Sequence, residues 1–524
     1  LTSNKVFIMQ DKSRIPVIVG VGQVTDTTSA PALGRSPLQL MREAAAIAAR
    51  DSGAGEALFS RLDSITVIRL FADTMTRFIS PFGRLVNPPW SLAQKLGATQ
   101  VTDLVYPPHG GDSPQVMLAR ACERIASGHS QSALIVGAEA LRTELAAKRA
   151  GLELQWGEDA PSPPNELAGP KIMYSLAEEQ HGMRSAIAMY ALIGQAVRRA
   201  AKQTVDQYRQ SSAELFASFA SVAKDNPLAT RREGYGVEAI RAESAENRFI
   251  GFPYTKLMTA NAFIDQSAAV LVMSEQRADE LGISQAKRVY LHGTAAAHDH
   301  WYVSERAHLE RSSAMRLTAE YALAQAHKRL DEVAFIDIYS CFPSAVQIAC
   351  RELGISLDDP RGLTITGGLP FFGGPGNNYV SHAIAEMVHK VRSQPGSYGL
   401  VMANGGLVTK EAVGLYSTQR PTVDFVSSDS AVIQGQIDRE TLLTLATQPN
   451  GEATIETYAV LHGKKGPERG VLFGRLLNTG ERFVANTPSD AATLSNLQTH
   501  ESIGLSGTVS QVEGLNIFIP RFAN

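Results

Sequence analysis

The sequence predicts an α/β protein that uses one topology twice and closes with a small all-β module. Three observations point to it. A glycine-rich turn, a helix, a buried strand and a polar turn follow one another at two distant places. The first copy runs from His109-Gly110-Gly111-Asp112-Ser113-Pro114 to Gly137-Ala138-Glu139, the second from Gly373-Gly374-Pro375-Gly376-Asn377-Asn378 to Ala403-Asn404-Gly405-Gly406. Between them, apolar runs of strand length alternate with helical patterns, the signature of a largely parallel sheet covered by helices. From about Pro421 short alternating runs replace that rhythm.

In chain order, residues 15–19 read as a buried first strand that ends in a turn at Gly20-Val21-Gly22. That turn lacks the third glycine of a dinucleotide fingerprint. Residues 37–50 read as an alanine-rich helix and 62–70 as a strand. In the first repeat Ser113 is expected to cap a helix with Pro114 at its first position. Leu118, Ala121, Cys122 and Ile125 then share one buried face. Residues 151–252 break the alternation with a proline-rich loop (Pro161, Pro163, Pro164, Pro170) and charged helical sequence, read as an insertion. The rhythm returns with strands at 264–273, 288–292 and 333–338 and a helix at 313–330. In the second repeat Asn377 or Asn378 caps a helix with a stripe of Val380, Ile384, Met387, Val388 and Val391. The expected domains are residues 1–275 with the insertion at 151–252, residues 276–420, and residues 421–524. The last holds strands at 454–461, 471–477, 482–485, 508–512 and 516–519, suggesting an OB-like barrel.

With 524 residues, 44% hydrophobic and 19% charged, the chain can bury several cores. A net charge of −3 gives no reason to expect nucleic acid or an anionic membrane as partner. Cys122, Cys341 and Cys350 form neither a metal-ligand spacing nor a disulfide framework, which suits a reducing compartment. No apolar run approaches the ~18 residues of a membrane span, and the N-terminus lacks the order of a secretory signal. A cytoplasmic location is expected. His292 with His298-Asp299-His300 is too sparse for a metal site, so none is expected. Gly463-Lys464-Lys465-Gly466 and the residues to Gly470 lack the Gly-Lys-Ser/Thr end of a phosphate loop and read as a hairpin.

Partial positive charge at the two helix N-termini suits a carbonyl that develops negative charge. The duplicated halves, the two glycine turns, Asn247-Arg-Phe-Ile-Gly-Phe-Pro-Tyr-Thr-Lys256, Asp265-Gln-Ser-Ala-Ala269 and Tyr339-Ser-Cys-Phe342 together resemble the thiolase superfamily, in its sterol-carrier-protein-type, acetyl-CoA acetyltransferase-like branch. The resemblance covers roughly residues 15–420, and the β module is similar to the extra C-terminal domain of one thiolase-like subgroup. It implies two βαβαβαββ halves in five layers and acyl transfer on coenzyme A thioesters, with acyl-CoA as ligand and no tightly bound cofactor. A dimer is possible, though the extra domain could make the protein monomeric.

A working thiolase carries a nucleophilic cysteine at the first turn, a histidine in the second, a second cysteine before the last Gly-Gly, and an Asn or His in the motif ending in Phe. The corresponding positions are Gly111, Gly374, Ala403 (Asn404 if the register slips by one) and Tyr339, so all four are changed. Losing the nucleophile of a concerted set costs on the order of 10⁶ in turnover. The resemblance leaves three readings: an acyl-CoA-binding protein without thiolase chemistry, a retro-aldol lyase on β-hydroxyacyl-CoA using Tyr339 and Tyr379 as acid/base groups, and a non-enzymatic carrier or scaffold. His109 beside Asp112, and Cys341, are further catalytic candidates. Arg231, Arg232, Arg248 and Lys256 of the insertion are candidates for coenzyme A phosphates.

Overall fold

A computed structural model describes residues 10–167, 171–426 and 429–522. Pro170 of the proline-rich loop and the last two residues lie outside them. The first half contains β1 (Pro16–Thr25), α1 (Pro37–Ser52), β2 (Ser64–Val67), α2 (Pro88–Leu96), β3 (Asp103–Tyr106), α3 (Ser113–Ala126), β4 (Ser132–Ala140), α4 (Leu141–Arg149) and β5 (Asn165–Glu166). The insertion follows with α5 (Leu176–Gln180), α6 (Ala186–Ala200), α7 (Val205–Asp225), α8 (Val237–Arg241), β6 (Phe249–Phe252) and β7 (Tyr254–Thr255), before β8 (Asp265–Ser274) returns to the first sheet. That sheet has the order β1-β8-β4-β2-β3-β5. Its short β5 pairs with β3 and covers the edge strand.

One expectation fails at β1. Gly20-Val21-Gly22 is not a turn; the strand runs through it to Thr25. A Cβ on Gly20 would lie 2.2 Å from the Ala48 carbonyl oxygen, and one on Gly22 2.1 Å from that of Ala44. The glycines are there because α1 lies directly on the strand. The helix is fixed at its start by a capping box between Ser36 and Gln39.

The second half contains α9 (Glu275–Glu280), β9 (Tyr290–His298), α10 (Ser313–Gln325), β10 (Phe335–Ile338), α11 (Pro343–Leu353), α12 (Gly368–Phe371), α13 (Tyr379–Ser393), β11 (Tyr398–Gly405) and β12 (Lys410–Ser417). Its sheet order, β9-β12-β11-β10, repeats β1-β8-β4-β2 with the same parallel and antiparallel pairings. The two halves are thus one topology used twice. α3 and α13 are equivalent and pack against each other between the sheets, while α1 and α10 cover the outer faces, giving five layers. The predicted apolar stripes of both central helices are buried.

The capping expectations need correction. Asp112, not Ser113, precedes α3, and Ser113 Oγ donates to the Pro108 carbonyl at 2.8 Å. Asn378 precedes α13, but its side chain makes no cap.

The C-terminal module holds α14 (Ser430–Ile437), β13 (Gly451–Gly463), β14 (Gly466–Leu476), β15 (Arg482–Asn486), α15 (Ala491–Thr499), β16 (Ser506–Val512) and β17 (Leu515–Pro520). The order β14-β15-β17-β16-β13, with β13 pairing back to β14, closes a five-stranded barrel in the OB order. β6 and β7 of the insertion extend the same sheet. Buried polar contacts tie the barrel down. Thr457 Oγ1 donates to the Leu192 carbonyl at 2.6 Å, and buried Arg198 pairs with Glu501 at 2.7 Å. Among the described residues no helix is long and apolar enough to cross a membrane.

Candidate functional site

The internal repeat brings the two glycine turns face to face, and one asparagine joins them. Asn377 Oδ1 accepts the Gly110 N–H at 3.0 Å, while its Nδ2 donates to the Arg69 carbonyl at 2.8 Å. Asn378 reaches the end of β4, donating to the Gly137 carbonyl at 2.7 Å. From β12, Lys410 donates to the His109 carbonyl and stands 3.5 Å from Asp112. A cavity of about 740 Å³ opens over this junction, bounded by His109, Gly110, Gly111, Gly374, Gly376 and Asn377.

Tyr339, at the end of β10, lies against the first turn. A Cβ on Gly111 would sit 2.5 Å from the Asn404 carbonyl oxygen and 2.6 Å from the Tyr339 hydroxyl. The space a side chain at 111 would need is therefore already filled. Tyr339 lines the cavity, and among the described residues its hydroxyl has no protein hydrogen-bond partner. Burial pushes its pKa well above the phenol range, with Cys341 and Asp112 adding to the shift, so the phenol is neutral. Cys341 also lines the cavity. Burial pushes its thiol up to about 12, which a hydrogen bond from Tyr190 only partly offsets, leaving a poor nucleophile. Tyr190 comes from α6 of the insertion and stacks on Phe342 at 4.5 Å between ring centroids. Of the two positions considered for the second cysteine, Ala403 is buried in β11 outside the cavity, and Asn404 lines it with an unpartnered Oδ1.

Tyr379 does not join Tyr339 at the cavity. It is fully buried at the start of α13, its hydroxyl 2.6 Å from Thr366 Oγ1 and donating to Asp337 at 3.2 Å. The rings meet edge to face at 5.5 Å, but only Tyr339 faces the open space. His109 lines the cavity and is held neutral at pH 7. Burial pulls its pKa down to about 4, with Lys410 and Arg69 adding to the shift. Asp112 is half-buried beside the turn, its carboxylate facing Lys410.

Among the candidate cations Arg231, Arg248 and Lys256 line the cavity, whereas Arg232 turns away to the Lys224 carbonyl at 3.2 Å. Arg77 and Lys148 line it too, and sequence reasoning missed both. They lie outside the insertion, and only tertiary folding brings them to the wall. Glu139, at the end of β4, is buried against Gly376 and accepts the Phe71 N–H at 2.8 Å; burial pushes its pKa up to about 8. Among the described residues no group of His, Cys, Asp and Glu is placed to hold a metal ion.

The whole chain is similar to a solved structure, a monomeric SCP2-thiolase like protein type 1 from Mycobacterium smegmatis. The two share 35% identity over 97% of this chain and 99% of the other, with a TM-score of 0.82. The chain belongs to the SCP2-thiolase-like protein type 1 family. Residues 432–514 of this thiolase-like protein match the family model of the thiolase-like protein type 1 additional C-terminal domain. A probable acetyl-CoA acetyltransferase of Mycolicibacterium smegmatis is 26% identical over 136 residues, which is 25% of this chain and 32% of that relative. The Ltp2-ChsH2(DUF35) aldolase shares the fold at 18% identity and a TM-score of 0.56, over 78% of this chain and all of that one.

Proposed function

We propose that this thiolase-like protein binds acyl-CoA in the cavity between its two glycine turns and does not perform cysteine-based thiolysis. The observation that carries the second part is the packing at Gly111. No nucleophile stands at the turn, and Tyr339 with the Asn404 carbonyl occupies the room one would need. Binding is supported by a cavity within the range of ligand sites, about 300–1,000 Å³. It is also supported by Arg231, Arg248 and Lys256 in the wall, cations suited to phosphates. The helix N-termini of α3 and α13 add partial positive charge beside the same space. Calorimetric titration with CoA and with acyl-CoAs of several chain lengths tests the reading. Saturable binding without thiolytic turnover is expected, and absence of binding by every member of the series would remove it.

The unpartnered hydroxyl of Tyr339 favours one alternative, retro-aldol cleavage of a β-hydroxyacyl-CoA. A neutral phenol can donate a hydrogen bond to a carbonyl oxygen as charge builds there. Tyr379 is held by Thr366 and Asp337 and does not line the cavity, so this reading rests on Tyr339. Incubation with a β-hydroxyacyl-CoA would then release a ketone or aldehyde, and Tyr339→Phe would suppress the release. Binding with no product at all leaves the carrier or scaffold reading.

A further inference from the structure

The C-terminal barrel is joined to the cavity wall through a continuous strand pairing. β6 pairs with β13 of the barrel, Phe252 opposite Val460 and Gly251 opposite Leu461. Arg248 and Ile250, next to and within β6, line the cavity. Arg248 Nη1 donates to the Phe249 carbonyl at 2.8 Å and reaches the His462 carbonyl of the barrel at 3.4 Å. The His462 ring packs on Phe249 at 5.4 Å, and its Nε2 is 2.8 Å from Gln498 Oε1. On the other side of the hairpin, Arg469 lies over Gly182 of the insertion, so close that a Cβ there would collide with its guanidinium. The β13–β14 hairpin is thus clamped beside the mouth.

Its tip is Lys464-Lys465, both exposed and, among the described residues, without a protein hydrogen bond or ion pair. The observed contact of Arg248 with the His462 carbonyl, two residues before Lys464, brings the hairpin tip close to that arginine. Glu144 and Glu246 in the cavity wall, and Glu243 and Glu468 near His462, are acidic groups close by. Against them stand Arg231, Arg248, Lys256, Lys464 and Lys465, leaving the rim net positive.

We propose that the barrel is part of the ligand site, with Lys464 and Lys465 joining Arg248 to hold the phosphorylated end of a ligand whose other end enters the cavity. This rests on the acyl-CoA reading above. It gives the additional domain a role that the thiolase core cannot fill alone, because the core ends at β12, before this hairpin begins.

The test compares CoA with pantetheine, the same arm without the nucleotide, on the full chain and on Lys464→Glu/Lys465→Glu. The double variant is expected to bind CoA about tenfold more weakly, the size of two partly exposed charge pairs, with pantetheine unaffected. Raising the salt should narrow the difference. Unchanged CoA affinity in the variant would overturn this proposal and leave the acyl-CoA reading standing. If the native chain bound neither CoA nor pantetheine, both would fall. Because charge reversal could disturb the turn, Lys464→Gln/Lys465→Gln serves as a milder second variant, expected to lose about threefold; no loss in it counts against the proposal equally. Glu468→Gln should shift CoA binding the other way.

Discussion

The first glycine turn is packed shut where the second is left open, although the two lead into equivalent helices. At Gly111 a Cβ would meet the Asn404 carbonyl oxygen at 2.5 Å and the Tyr339 ring at 2.7 Å. At Gly374 its nearest neighbours would be Leu369 Cδ2 at 3.4 Å and Ala260 Cβ at 3.5 Å, ordinary contacts. Duplication has kept the helix that follows each turn, while the space beside the two turns differs. Beside the first turn a tyrosine fills the space a side chain would need, and beside the second that space is free. Placing a cysteine at 111 therefore means moving Tyr339, not changing one residue.

The largest effect is expected where the two turns are joined. Asn377→Ala leaves the Gly110 N–H and the Arg69 carbonyl without their partner, at about 1–3 kcal/mol for each buried orphan. A total loss of about 2–4 kcal/mol in denaturant unfolding is expected. A loss below about 1 kcal/mol would mean that water replaces the amide and that the turns are not coupled through it. Gly111→Ala comes next, at about 1–3 kcal/mol from overpacking. Adding Tyr339→Ala should recover only part of it, because the Asn404 carbonyl stays in place. Full recovery would show that the tyrosine alone closes the site.

How much of this was legible in the sequence follows from how local each cause is. The repeat and the stripes of α3 and α13 were readable because helix periodicity is written in neighbouring residues, and alternation revealed the five barrel strands. β1 was cut short because glycine punctuates turns in most sequences; here α1, far along the chain, requires its absence of a side chain. α14 and α15 are short, with little contrast between their faces, and left no pattern to find. At the site, Tyr339 and Asn404 could be reached by aligning motifs. Tyr379 was drawn in by its place on the helix, yet its side chain points to Thr366 and Asp337. Arg231 and Arg232 are neighbours that diverge, one to the cavity and the other to Lys224. Arg77, Lys148 and the bridging role of Asn377 depend on contacts between distant segments, for which a single sequence carries no signal.

The asymmetry between the turns also has a pH signature. Glu139 supports the second turn from behind Gly376, and burial holds its pKa at about 8 instead of the usual 4.5. The folded chain therefore keeps a proton that the unfolded chain releases, and this group's contribution to stability falls as pH rises from about 4.5 to about 8. Glu139→Gln retains an oxygen for the Phe71 N–H and removes the titration. The variant should match the native chain near the low end of that window and exceed it increasingly towards its upper end. Parallel stability curves would place the proton elsewhere.

The smallest effect is the one that separates the two turns most cleanly, because its sign is opposite. Gly374 lies outside the left-handed region, and its Cβ would find contacts no closer than 3.4 Å. Alanine there reduces the freedom of the unfolded chain without strain in the folded one, which stabilises by about 0.4–1 kcal/mol. Gly374→Ala should thus be neutral to slightly stabilising in the same unfolding experiment in which Gly111→Ala is costly. If both substitutions destabilise alike, the second turn is as closed as the first, and the cavity has less room beside α13 than its lining suggests. If the signs differ, position 374 is the place to introduce a base, because a histidine there starts from free space whereas a cysteine at 111 starts from a collision.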